Sequence, residues 1–268
     1  MATLPAVGGV PRSDEARRMY VESLFTPDYA ELRKAVSAEF SSVPSGFFGE
    51  AVPGLLRRLP GRKRAIALTF DACGGGYNKK LIEYLRTEKI PATLFVSGVW
   101  ADAHPATLKG LAADPLFEIE NHGLLHRLCT LGGQSLWNLP AARNPGEIAD
   151  EIELNVLKLE KATGRRPRFF RPAGAQTDEA TVRIARRLGA IPVGFNLFSD
   201  DVDPSASTET VRDHIVQRAG PGAVVLLHFN HPEWCEEPAL REAVPALKSR
   251  GYAFVRLEDA VPPDPDRK

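Results

Sequence analysis

The chain has 268 residues, 43% apolar and 25% charged, and its 34 Lys plus Arg are balanced by 34 Asp plus Glu. One large α/β domain or two small ones could bury a full core at this length, and zero net charge gives no reason to expect nucleic acid or an anionic membrane surface as a partner. No stretch approaches the roughly 18 apolar residues of a membrane span, and Cys73, Cys129 and Cys235, without a C-x-x-C spacing, read as free thiols.

Residues 1–61 are poor in strand signals. Apolar residues recur at helical spacing over 14–24 and 29–40, divided by Thr26-Pro27, which predicts an N-terminal helical extension packed on the main body. Residues 1–11 lack the basic and apolar regions of a secretory signal. The sequence as it stands therefore reads as cytoplasmic, or as cell-envelope or periplasmic if a signal has been removed.

From 62 to 260 strand and helix patterns alternate. The expected strands are 65–70, 92–96, 117–121, 169–171, 191–196, 223–228 and 252–256. The helices between them are expected at 78–88, 104–113, 145–162, 178–188, 208–218 and 239–250, with Pro145 in a first turn and Gly164 as a C-terminal cap. A long loop rich in Gly, Asn and Pro covers 123–144, and a proline- and charge-rich tail, 261–268, is expected to fray. Seven strands joined by helical crossovers predict a parallel sheet, closed as a barrel or open and doubly wound. In both, function gathers at the C-terminal ends of strands.

Asp71, His122, Arg171, Asp201 and His228 each fall at or just after such an end. Asp71 closes an apolar run and is followed by Gly74-Gly75-Gly76, which leaves backbone space for a ligand; it is too far from the helix at 78 to cap it. His122 and His126, four apart, can face one metal ion if the chain turns helically, or can be a turn cap and a surface residue. Arg171 could grip a carboxylate or lie on the surface. Asp201 stands among three carboxylates, and His228 ends a strongly apolar run as a structural histidine or, beside a carboxylate, a poised acid.

These five segments, in this order over 62–259, resemble the motifs of the polysaccharide deacetylases, also called the NodB homology domain or carbohydrate esterase family 4. The resemblance implies a distorted (β/α) barrel of about seven parallel strands. It implies Asp71 as catalytic base, Arg171 orienting it, and His228 as general acid tuned by Asp201. It implies His122 and His126 as metal ligands, with Gly123 where the family has Ser or Thr. The family's second aspartate of T-F-D-D falls on Ala72, which cannot ligate, and the tryptophan flanks of the fourth motif are Phe198 and Pro204 here.

The resemblance thus implies one weakly held divalent metal, Zn²⁺ foremost, with Co²⁺, Ni²⁺ and Mn²⁺ as alternatives. Asp71 could itself ligate, water could complete the shell, or the site could be dead. Cys73 could substitute as a soft ligand, but a shift of one residue is expected to redirect its side chain. An Ala72→Asp substitution is expected to tighten metal binding. Tyr77, Pro172, Gly174 and Leu226 are expected along the substrate, and Tyr77, Trp137 and Trp234 could stack on a sugar or pack their loops. The activity implied is removal of an acetyl or other acyl group from an N-acylated amino sugar in a glycan, with a carbohydrate substrate and no protein partner. Its alternatives are a deacylase of a small-molecule or lipid-linked sugar, or a silent carbohydrate-binding protein.

Overall fold

The computed structural model describes residues 13–61, 64–203 and 205–263, so the expected frayed tail beyond 263, most of the leading segment and Pro204 lie outside it. Its main sheet holds β1 (Ala65–Ala72), β2 (Ala92–Val96), β3 (Phe117–Asn121), β4 (Phe169–Phe170), β5 (Ile191–Pro192), β6 (Leu197–Phe198), β7 (Ala223–His228) and β8 (Ala253–Phe254). Seven of them run in the order β6-β7-β1-β2-β3-β4-β5, and β8 pairs with the first two residues of β1. Every pairing is parallel, and the sheet curls into a half-barrel.

All eight residues of β1 are buried, as expected of a strand covered on both faces. Alternation divides them. Ile66, Leu68, Phe70 and Ala72 join Leu81, Trp100 and Leu240 in the core beneath the helices, while Ala65 and Ala67 meet Phe95, Phe169 and Val224 inside the curl.

The run expected as one strand over 191–196 is strand only at Ile191–Pro192, and a further short strand outside the expected set, Leu197–Phe198, begins just beyond it. Gly194 interrupts the run, because its N–H donates to Leu56 and its carbonyl accepts from Arg171. Those two strands are the ends of the sheet path, and the segment 56–59 lies across the opening. Leu56 bridges to Val193 and Arg58 to Ala223. Residues assigned to the extension thus take part in closing the barrel.

The N-terminal helices Asp14–Ser23 and Pro27–Glu39 are capped by Ser13 and Thr26, with Pro27 in the first turn of the second. Val36 and Phe40 pack with Ile148, Ile152 and Ile184, and Val21 and Tyr29 with Leu124 and Leu154. The helix expected over 145–162 runs as Pro145–Ala149, a π-helical turn Asp150–Leu154, and Asn155–Thr163, ending at Gly164 in the left-handed conformation (φ 77°). No helix among the described residues is long and apolar enough to cross a membrane.

Candidate active site

Parallel pairing puts the strand ends at one rim, with His228 in register beside Asp71 and Asn121 beside Phe170. Asp71, 2% exposed, points into the curl. Arg171, wholly buried, donates from Nη1 to Asp71 Oδ1 at 2.8 Å and from Nη2 to Thr69 Oγ1 (2.8 Å) and the Gly194 carbonyl (3.1 Å). Its guanidinium carbon sits 4.2 Å from the centre of the Phe95 ring. Burial alone would raise the Asp71 carboxyl, but Arg171, His122 and His228 outweigh it and hold it below the ordinary carboxylate range.

The Nδ1 of His122 lies 2.9 Å from the Arg171 carbonyl, which can only accept, so that nitrogen carries the proton and Nε2 presents a lone pair. Nε2 stands 3.5 Å from Asp71 Oδ2 and 3.5 Å from Cys73 Sγ, whose thiol donates to it. Burial holds His122 below the usual histidine range, in the neutral form a metal requires.

The turn carrying both histidines is gripped by Glu151 of the π-helical turn. Its carboxylate accepts from the Leu125 and Arg127 backbone N–H groups (3.1 Å each) and from Arg127 Nε (2.7 Å), and its carbonyl from Leu124. Gly123 has φ 85°, and a Cβ there would fall 2.9 Å from Glu151 Oε2, so a Ser or Thr does not fit this arrangement. His126 itself adopts the left-handed conformation at φ 55°. Its Nε2 is buried and has no hydrogen-bond partner among the described residues.

At the end of β7, His228 (8% exposed) turns Nδ1 to Asp201 Oδ1 at 3.2 Å, and its backbone N–H donates to Asp201 Oδ2 at 2.7 Å. Ser199 Oγ, 3.0 Å from Asp201 Oδ1, helps to hold the carboxylate. Burial disfavours the imidazolium, but Asp201, with Cys73 adding to it, lifts His228 well above the usual histidine range.

The four residues expected as base, orienter, acid and tuner are therefore together, Arg171 on Asp71 and Asp201 on His228, with Asp71 and His228 on strands paired in register. The two expected metal histidines are beside them. Ala72 is not. Its side chain packs in the core under the helices, so a carboxylate at 72 would face away from His122 and His126, contrary to the expectation for Ala72→Asp. Cys73 instead reaches inward: its Sγ and one nitrogen each of His122 and His126 all lie within 4.8 Å of one another. Burial pushes this thiol up, but His126 and His228 bring it down to about 7. A sulfur, an unpartnered imidazole nitrogen and a second lone pair suit a divalent transition metal.

Of the residues expected along the substrate, Tyr77 is half-buried against Trp100, with ring centres 6.3 Å apart, and packs its loop. Leu226 packs with Ala175 and Phe195, and Pro172 is buried beside Arg171. Gly174 (φ 68°) lies under Leu136 and Trp137 of the long loop, and Trp137 is 69% exposed. Trp234 meets His228 edge-on at 5.7 Å and stacks on His231 at 3.8 Å. Thr69, Ser199 and Glu151 also serve the site, and sequence reasoning does not reach them. Glu151 lies 24–26 residues from the groups it holds, and no local spacing announces that.

A polysaccharide deacetylase family model matches residues 58–193, half of the chain. The chain belongs to the polysaccharide deacetylase family. That places it among the hydrolases of carbon–nitrogen bonds other than peptide bonds. The peptidoglycan-N-acetylmuramic acid deacetylase PdaA of Bacillus subtilis is 27% identical over 202 residues, 74% of this chain and 72% of its own. Among solved structures, a carbohydrate esterase family 4 pseudoenzyme from Bacillus anthracis aligns with TM-score 0.68 and 22% identity over 79% of this chain and 70% of its own. A family 4 acetyl xylan esterase from Clostridium thermocellum, in complex with a cobalt ion, aligns with TM-score 0.63 and 27% identity over 75% and 95%.

Proposed function

We propose that this deacetylase removes an acetyl group from the amide nitrogen of an N-acetylated amino sugar in a glycan, assisted by a divalent metal. The observation that carries the reading is the placing of Asp71–Arg171 beside His228–Asp201, with His122 Nε2 3.5 Å from Asp71. The N-acetylated sugar named for the Bacillus subtilis relative supports the substrate class, and the cobalt ion of the Clostridium thermocellum structure supports the metal.

Asp71 is the base. Held ionised by Arg171, it accepts a proton from the water that attacks the acyl carbon. His228 is the acid: with Nδ1–H fixed on Asp201, its other ring nitrogen, on the side of Cys73, passes a proton to the nitrogen as the C–N bond breaks, leaving acetate and a free amine. A cation held by His122 and His126 supplies Lewis-acid polarisation of the acyl carbonyl when bound. Trp137 offers a face on which a sugar ring can stack, whereas one face of Trp234 is covered by His231.

Ala72 favours a second reading, a carbohydrate-binding protein without turnover. One assay separates the two: acetate release from N-acetylglucosamine oligomers and N-acetylmuramic acid-containing peptidoglycan by zinc-loaded protein. Asp71→Asn and His228→Ala should each lower kcat about 10²-fold or more, the scale of acid–base catalysis, with circular dichroism unchanged. Near-normal kcat in His228→Ala would overturn the acid assignment, and glycan binding with no acetate release by the wild type would favour the silent reading.

A further inference from the structure

We propose that Cys73 is the third protein ligand of the metal site, its thiolate standing in for the carboxylate missing at position 72, so that Cys73, His122 and His126 together hold the cation. The proposal rests on the metal-assisted reading above for the presence of a cation, and adds which atoms hold it.

Strand parity brings the sulfur inward. β1 runs through Ala72, so Asp71 and Cys73 are two apart and share a face, while Ala72 turns to the opposite core. The sequence alone suggests that a shift of one residue redirects Cys73 away from the histidines; in an extended chain it is position 72 that faces away.

The three donors lie within 4.8 Å of one another, and one pair already has the spacing of two ligands on a cation. Zn–S near 2.3 Å and Zn–N near 2.0–2.1 Å in a tetrahedron put neighbouring donors about 3.3–3.6 Å apart, and Cys73 Sγ lies 3.5 Å from His122 Nε2. His126 Nε2, buried without a hydrogen-bond partner among the described residues, belongs to a ring whose centre is 4.8 Å from that of His122. A bound cation would satisfy a nitrogen that is otherwise costly to bury.

The loop after β1 is held in place. The carbonyls of Cys73, Gly74, Gly75 and Gly76 accept in turn from Ser97 Oγ, Asn230 Nδ2, His104 Nε2 and Trp100 Nε1. A Cβ on Gly75 would fall 3.1 Å from the Asn230 carbonyl, and one on Gly76 3.1 Å from Pro232, so the glycines permit this close approach. The remaining thiols are engaged elsewhere, Cys129 with the Arg127 carbonyl and Cys235 with that of Ala206.

On loading, the Sγ–H bond breaks, its proton passes to solvent and a sulfur–metal bond forms. One thiolate and two imidazoles favour Zn²⁺ or Co²⁺ over Mg²⁺, Ca²⁺ and Mn²⁺, which prefer oxygen donors.

Titration of metal-free protein with Co²⁺ tests this. The wild type should develop near-ultraviolet thiolate-to-cobalt charge-transfer absorption at one equivalent, and Zn²⁺ should protect Cys73 from alkylation by iodoacetamide. Cys73→Ser should lose the band and bind at least tenfold more weakly, whereas Cys73→Asp should bind without the band. Circular dichroism checks each fold, and the wild-type spectrum needs no variant. Cobalt bound by the wild type without sulfur absorption, Cys73→Ser binding as tightly as wild type, or a metal-free turnover lost in Cys73→Ser, as expected of a nucleophile, would each overturn the proposal. A sulfur band in a protein that releases no acetate would leave the ligand standing and sink the hydrolase reading. Acetate release by a Cys73→Ser protein of wild-type affinity would do the reverse.

Discussion

Replacing Arg171 with methionine removes the cation from a carboxylate that has almost no access to water. The methionine fills part of the space against Phe95, but the donors to Asp71, Thr69 and Gly194 are all lost. Breaking a buried ion pair from one side costs about 3–5 kcal/mol, and that range applies because both partners are enclosed. The effect depends on pH in a definite sense. Asp71 is held below its unfolded pKa, so its contribution to stability is present above the ordinary carboxylate range and is lost as pH falls through the folded pKa. In the variant burial dominates, the carboxyl takes up a proton at higher pH, and the stability gap to the wild type narrows in acid. Urea unfolding of both proteins at neutral pH and near pH 4 reads this directly. A loss of about 1 kcal/mol or less at neutrality, the scale of an exposed pair, or a gap that does not narrow in acid, would refute the reasoning. The acidic limb of kcat/KM should move to higher pH in parallel.

Asp201→Asn removes the charge that lifts His228, so the alkaline limb of the pH–rate profile, where the acid is lost, should move to lower pH; an unmoved limb would mean that another group sets it. Ala72→Asp should destabilise the fold by about 3 kcal/mol or more, since it buries a carboxylate in an apolar core; thermal melting shows this, and a stable variant with tighter Zn²⁺ binding would contradict the placement of position 72. Glu151→Gln weakens the grip on the turn bearing His122 and His126. Zinc affinity should fall about 10–100-fold, as for supporting groups around metal ligands, with competitive chelation as the measure.

Periodicity and strand-end polarity are enough to read seven parallel strands, the crossover helices and the five polar residues at one rim, because a buried parallel strand is a continuous apolar run and its first polar residue marks where the core ends. Asp71, Arg171 and His228 are legible for that reason, whereas His122 follows a strand that already buries Glu118, Glu120 and Asn121 and is legible by its spacing to His126. The identities of their partners are legible only through family resemblance, since Asp71 and Arg171 meet across 100 residues. Three features belong to tertiary structure alone. Glu151 reaches the histidine turn from a π-helical turn that the helical pattern does not distinguish. The segment 56–59 spans the opening from Val193, just past β5, to Ala223 at the start of β7 through bridges no local pattern encodes. And position 72 can be seen in the sequence to lack a ligand, but which way its neighbour turns cannot. That depends on how far β1 runs before it bends, which is decided by pairing with β2 and β7 and by the side chains that hold the glycine loop behind Cys73. A chain can state in its own letters where its core stops; the direction of the next side chain is fixed by the strands that pair beside it.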